Sequence, residues 1–446
     1  MSGMWLIPGR KITVIAAGRI LPLALWSLAL WSLGLLSLTG CDVPIDAFEP
    51  NRLFAKRLEL TEQVDLASTR DDVQRLLEEL FGTPDQPRWP EFLATEPGFA
   101  GLVSSDSLQR AAGAVRSDER DTHFGLYREH CILCHGIAGN GLGATSRLLN
   151  PYPRDFRAGK FKFKSTPIGS RPTRDDLLRI LTEGIPGTSM PSFRLLAEED
   201  LSALVDYVIY LSIRGEVERD LLARAAYDLD IEADERLIDF DAREANSTEF
   251  QTQWQQIQQS VLKIAGNWAA ADTQQLTEIT PPPDLPLVDQ SLQSEQQSSE
   301  LTASIEHGRE LFQGKVANCS SCHGLQGAGD GVVNNYDDWT KEWTAHAGLD
   351  PADKQQLKPM LELGALKPRY IIPRNLQTGI YRGGSRPEDL YRRIVLGIEG
   401  TPMPAAPLQP ENALGLSQRD VWDLVNFLLS LPANTSSSQS SQEGQL

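Results

Sequence analysis

Apolar positions along the chain fall into helical blocks separated by stretches rich in Pro, Gly and Ser. Val73, Leu76, Leu77, Leu80 and Phe81 recur at i, i+3, i+4, i+7 and i+8, one face of a helix. Thr69 with Asp72 reads as its capping pair, and Gly82 with Pro84 as its stop. A face of this kind serves packing. Pro84, Pro87, Pro90 and Pro97 then mark an irregular stretch. Trp254, Ile257, Val261 and Leu262 give a further amphipathic helix, stopped by Pro281, Pro282, Pro283 and Pro286. Two more apolar helices, around 204–211 and 424–431, stand far apart in the chain and share one pattern.

The N-terminus has a pattern of its own. Arg10, Lys11 and Arg19 are followed by an almost wholly apolar run over 20–38, then Leu38-Thr39-Gly40-Cys41. A basic region, an apolar region and small residues before a cut site describe a secretory signal. The ending resembles the bacterial lipoprotein lipobox. That resemblance implies lipidation of Cys41 and a lipid-anchored chain on the periplasmic side of the cell membrane. An uncleaved membrane helix is the competing reading, since a run of this length nearly spans a bilayer. Both readings export the rest of the chain.

Charge changes the picture next. The 446 residues hold 42 Lys and Arg against 60 Asp and Glu, a formal charge of −18, or −21 once residues 1–40 are removed. Nucleic-acid binding works by neutralising phosphates, so this balance excludes it as a general function. Redox protein partners with a basic docking face suit it better. Residues 216–249 contain twelve acidic and four basic residues and read as a solvated acidic face or linker. Gln- and Ser-rich residues 287–304 read as a flexible linker, and 433–446 as a disordered tail.

The five cysteines then organise the chain. Cys131-Ile132-Leu133-Cys134-His135-Gly136 recurs as Cys319-Ser320-Ser321-Cys322-His323-Gly324. Gly139, Gly141 and Gly143 match Gly327, Gly329 and Gly331 at the same offset of 188. Pro153-Arg154-Asp155-Phe156 is similar to Pro373-Arg374-Asn375-Leu376, and the Met190 segment (184–191) to the Met403 segment (397–404). Each copy ends in one of the apolar helices. Four matched blocks in one order make an internal duplication. The second copy is longer between its His and its Pro by about 32 residues, at roughly 332–370, and this insert holds Tyr336, Trp339, Trp343 and His346.

Cys-x-x-Cys-His is the attachment pattern of c-type haem: two thiols on one turn form thioethers, and the next residue ligates the iron. A thioredoxin-like pair needs no His, and a zinc site needs four ligands of its own. Met190 and Met403 occupy equivalent positions, each followed by Pro, which suits a sixth iron ligand. Each copy thus resembles a class I cytochrome c domain. The resemblance implies an all-α fold with two covalently bound haem c groups. They would be held by Cys131, Cys134, Cys319 and Cys322, with His135, Met190, His323 and Met403 on the irons. It also implies a proline carbonyl (Pro151 or Pro153, and Pro373) that orients each His. Arg154 and Arg374 are candidates for haem propionates, against the plainer reading of exposed Arg. His123, His130 and His307 read as surface or packing residues, with His346 kept as an alternative ligand.

The expected organisation is a signal peptide (1–40), a helical N-terminal segment (41–119), a first cytochrome domain (120–215) and an acidic helical, then Gln/Ser/Pro-rich, linker (216–304). A second cytochrome domain with the insert (305–432) and the tail (433–446) complete it. With both irons six-coordinate, the expected function is outer-sphere transfer of single electrons between respiratory or dehydrogenase partners, as a carrier or a complex subunit. The alternative is a dihaem cytochrome c peroxidase-like enzyme, which keeps one haem open to peroxide.

Overall fold

The computed structural model describes residues 44–431 apart from 234, 244–246, 278, 290–297 and 410–414. The signal segment with Cys41, part of the expected linker and the expected tail lie outside the described residues. Two compact units divide the chain, Met1–Pro44 and Ile45–Leu446, and only Pro44 of the first is described. The second unit contains both copies of the repeat. It is all-α, with one two-stranded hairpin, Arg116–Ser117 and His123–Phe124, among the described residues. No described helix is long and apolar enough to cross a membrane.

The first core is built around the helix Glu198–Asp228. Three acidic residues, Glu198, Glu199 and Asp200, open it, where the helix dipole favours negative charge. Leu201, Leu204, Val208, Leu211 and Leu222 are buried along it. The helices Arg52–Glu62, Ala67–Phe81, Ser105–Ala111 and Thr248–Ala269 pack against it. Val73, Leu76, Leu77, Leu80 and Phe81 are all buried, as the periodicity requires.

Two sequence expectations are corrected here. The helix Ala67–Phe81 starts after Leu66, so Thr69 and Asp72 lie within it and do not cap it; Asp72 instead pairs with Arg236 at 2.6 Å. The acidic stretch after 215 is not a solvated linker at its start, because the domain's last helix runs on to Asp228. Glu216 and Glu218 are buried there. Glu216 binds Arg171 and accepts from Trp268 Nε1 at 2.8 Å, and Glu218 accepts from the Asn51 backbone at 2.6 Å. Carboxylates with such partners belong inside. The amphipathic helix expected around Trp254 is present as Thr248–Ala269, and its Ile257, Val261, Ile264 and Trp268 join the first core.

The second core is smaller. The helix Ser299–Gln313 crosses the helix Gln418–Ser430, with Phe312 and Phe427 in ring contact. Gly308 permits the crossing: a Cβ there would meet the Asp423 carbonyl at 2.0 Å. Leu390, Tyr391 and Trp422 fill the space beneath. The insert folds into a third cluster of Trp343, Ala347, Leu357, Met360 and Ala365, packed on Leu53 of the N-terminal segment. Met360 is a core residue of this cluster.

Candidate functional site

In the first copy the helix Leu126–His130 leads directly into Cys131, and the short helix Ile132–His135 follows. The His135 backbone donates to the Cys131 carbonyl at 2.8 Å, which puts both thiols and the imidazole on one tight turn. The second copy repeats it: His323 donates to the Cys319 carbonyl at 2.9 Å. None of the four cysteines is in a disulfide. Burial pushes the Cys131 thiol up to about 12 and the Cys319 thiol up to about 11, which disfavours the thiolate that a redox-active pair would use.

The two histidines are oriented identically. His135 Nδ1 donates to the Arg154 carbonyl and His323 Nδ1 to the Arg374 carbonyl, both at 3.1 Å. A carbonyl only accepts, so the proton sits on Nδ1 and the Nε2 lone pair is left for a metal. The acceptor is therefore the arginine that follows the proline, not Pro151, Pro153 or Pro373. Burial also lowers His135 to about 4 and lowers His323, which keeps both rings in the neutral form that ligates iron.

The repeated glycines make this possible. Gly141 and Gly329 have φ of 70° and 78°, and donate to the His135 and His323 carbonyls at 2.9 and 2.8 Å. A Cβ on either would lie 2.8 Å from the carbonyl of Pro153 or Pro373. Side-chain surroundings differ between the copies. The Phe156 ring stacks on His135 at 4.6 Å, whereas in the second copy Leu376 takes the sequence position of Phe156 and the Phe312 ring lies 6.5 Å from His323.

The methionine loops are also copies of one another. Ile185 donates to the Met190 carbonyl at 3.1 Å, and Met190 to Thr188 Oγ1 at 3.1 Å. Ile398 donates to the Met403 carbonyl and Met403 to Thr401 Oγ1, both at 3.2 Å. Both methionines are half-buried. His346 sits elsewhere, half-exposed in the insert beside Glu342.

The loops of the two copies interlock. Arg374 Nη2 and the Ile380 side chain lie against Gly187 of the Met190 loop, within 3.1 Å of where a Cβ would stand. Gly400, the equivalent residue of the Met403 loop, lies against Trp339, and the Arg154 guanidinium covers that ring 3.1 Å from its centre. Arg154, Lys162, Arg374 and Arg382 thus converge between the sites. Burial and the neighbouring Arg154 push Lys162 down to about 7, and burial lowers Arg154 to about 10. The buried Nε atoms of Arg374 and Arg382 have no hydrogen-bond partner among the described residues.

These features fit haem. Free thiols, a neutral imidazole with a fixed tautomer and a thioether loop supply the attachment and axial groups. The crowded cations and orphaned guanidinium nitrogens suit haem carboxylates. Leu325, Val332 and Ile372, on the loops that follow His323 and precede Arg374, are exposed apolar residues, the kind of surface that a flat apolar ring would cover.

Comparison with known proteins agrees. Residues 119–208 match the family model of cytochrome c oxidase, cbb3-type, subunit III, and residues 305–432 match that of cytochrome c. The chain therefore carries two cytochrome c domains and two covalently bound c-type haems, and its domains are electron-transfer modules. No curated protein matches it. Among solved structures, a chain of the Kuenenia stuttgartiensis reducing HAO-like protein complex is similar at 24% identity. The match covers 69% of this chain and 94% of that one, with a TM-score of 0.40.

Sequence reading missed the groups that join the domains: Lys162, Arg179, Arg382, Asp389 and the placement of Trp339. One signal was available. Asp176 and Arg179 recur as Asp389 and Arg392 at the same spacing of 213 that relates Met190 to Met403.

Proposed function

We propose that the chain is a membrane-tethered dihaem cytochrome c that relays single electrons between respiratory or dehydrogenase partners. Cys131 and Cys134 hold the first haem, with His135 and Met190 as its axial ligands. Cys319 and Cys322 hold the second, with His323 and Met403. Bound haem supplies a reversible one-electron couple. The protein orients each imidazole through a backbone carbonyl, offers each iron a thioether, and holds the two sites against one another.

The identity of the two methionine loops carries this reading. A peroxidase-like site needs one iron open to substrate, and two loops with the same hydrogen bonds argue for two closed irons. Potentiometry tests it directly: two low-spin haems should titrate, each with one electron, and neither should take up cyanide readily.

The tether rests on Leu38-Thr39-Gly40-Cys41. Cys41→Ser should release the haem-loaded protein from its lipid anchor or leave an uncut precursor. An unmodified N-terminus at Met1 in the wild-type protein, found by mass spectrometry, would refute lipidation. The acidic charge favours partners with a basic face, so transfer rates should fall as ionic strength rises.

A further inference from the structure

The two methionine loops meet the junction between the haem domains differently. At one, Gly187 of the Met190 loop touches Arg374 directly. At the other, the insert places Trp339 between Gly400 of the Met403 loop and Arg154. From these contacts we infer that Trp339 is the positioning residue that couples the two haem sites on the Met403 side, alongside the Arg374–Gly187 contact on the Met190 side, and that it speeds electron exchange between them. The inference rests on the relay proposed above.

Several contacts hold the ring in place. The Asp338 backbone donates to the Gly400 carbonyl at 3.2 Å. Trp339 Nε1 points at the Asp155 carbonyl at 3.4 Å, and Lys162 Nζ lies 5.5 Å from the ring centre. Lys160 pairs with Asp338 at 3.3 Å. A guanidinium over an indole face is a favourable cation–π contact, strongest when water is excluded. At Gly400, φ is 71° and a Cβ would lie 2.2 Å from the ring, so the indole sits directly on the loop backbone.

These contacts form an unbroken path. His135 binds the Arg154 carbonyl, Arg154 covers Trp339, Trp339 meets Gly400, and Met403 follows three residues later. An electron crosses packed atoms more readily than open water. A cavity of about 100 Å³, lined by Tyr152, Arg154, Lys160, Arg219 and Asp338, already lies beside the ring. Removing the indole would enlarge it and admit water between the sites. The electron lost by one haem is gained by the other; Trp339 is not oxidised, and no bond or proton moves.

The test uses the full-length haem-loaded protein carrying Met190→His, which separates the haems in potential and spectrum. Exchange is followed optically after flash photoreduction, with and without substitutions at 339. Trp339→Leu should slow exchange, and Trp339→Phe, which keeps a ring, should restore most of the rate. Both should retain two haems and the second haem's sulfur-to-iron band. Exchange in Trp339→Leu at the parent rate would overturn the inference. Should Trp339→Leu lose haem, Gly400→Ala displaces the ring without removing it and should slow exchange; an unchanged rate there overturns the inference equally. A parent with no exchange between its haems would contradict the relay itself, and the inference with it.

Discussion

Arg179 of the first haem domain binds Asp389 of the second, and the Asp389 carboxylate is wholly buried by the contact. Arg386 and Arg392 complete its shell at 3.0 and 3.5 Å. Asp389 opens the helix Pro387–Leu396, as Asp176 opens the equivalent helix Arg174–Glu183. The equivalent helices of the duplicated domains therefore meet at one charged junction. A buried carboxylate facing three guanidinium groups fixes how the domains sit together.

Removing that charge should loosen the junction. Asp389→Asn removes the nearer of Arg179's two carboxylates and leaves it only Asp176, at 3.8 Å; breaking a buried pair in this way costs about 3 kcal/mol. Calorimetry should show a lower melting temperature and the single transition separating into two. Asp175→Asn, on the same helix as Arg179 but outside this junction, should leave the transition unchanged.

The insert should be released by acid. Glu342 accepts from Arg57 at 2.9 Å and Arg219 at 3.0 Å, joining the insert to two helices of the first core. Burial alone would raise its pKa, but the two arginines outweigh burial and hold it below its ordinary value of 4.5. A carboxyl depressed in the fold stabilises above its unfolded pKa, and that stability is lost as pH falls through the folded value. Stability should therefore drop as pH falls below about 4.5, and Glu342→Gln should lose that part of the dependence. Melting temperatures of both proteins across this range test it.

The first haem should respond to the orientation of its histidine. Gly141→Ala would drive the 153–155 backbone away and weaken the hydrogen bond from His135 to Arg154. A histidine that donates to a carbonyl is the more basic ligand and favours ferric iron. The midpoint potential of the first haem should rise, with the second unchanged.

Local chemistry was legible in the sequence, and long-range partnerships were not. Cys131 to His135 and the Met190 loop are contiguous motifs repeated in order, so they and the all-α cytochrome fold could be read directly. The helix ending at Phe81 was visible because its partners share one face. Glu216 read as part of an acidic linker because Arg171 and Trp268, which make it a core residue, lie 45 and 52 positions away. The histidine acceptors lay one residue beyond the expected prolines, because it is the Arg154 and Arg374 carbonyls that turn inward. Trp339 was visible only as an aromatic in an insert, since its neighbours Arg154 and Gly400 come from two different domains.

Substituting the thioether ligands should act on one haem at a time. Met190→His should lower the potential of the first haem alone, because imidazole donates more strongly and stabilises ferric iron. Met403→His should do the same for the second. Spectroelectrochemistry of the two variants separates the sites.

Ligand uptake by the wild-type protein is the most direct test of two closed electron-transfer haems. The oxidised, haem-loaded protein should show a sulfur-to-iron band for each haem and only slow binding of cyanide. Met190→Ala and Met403→Ala should each lose one band and gain one open site. Rapid cyanide binding by one haem of the unmodified protein, with no such band for that haem, would contradict the account.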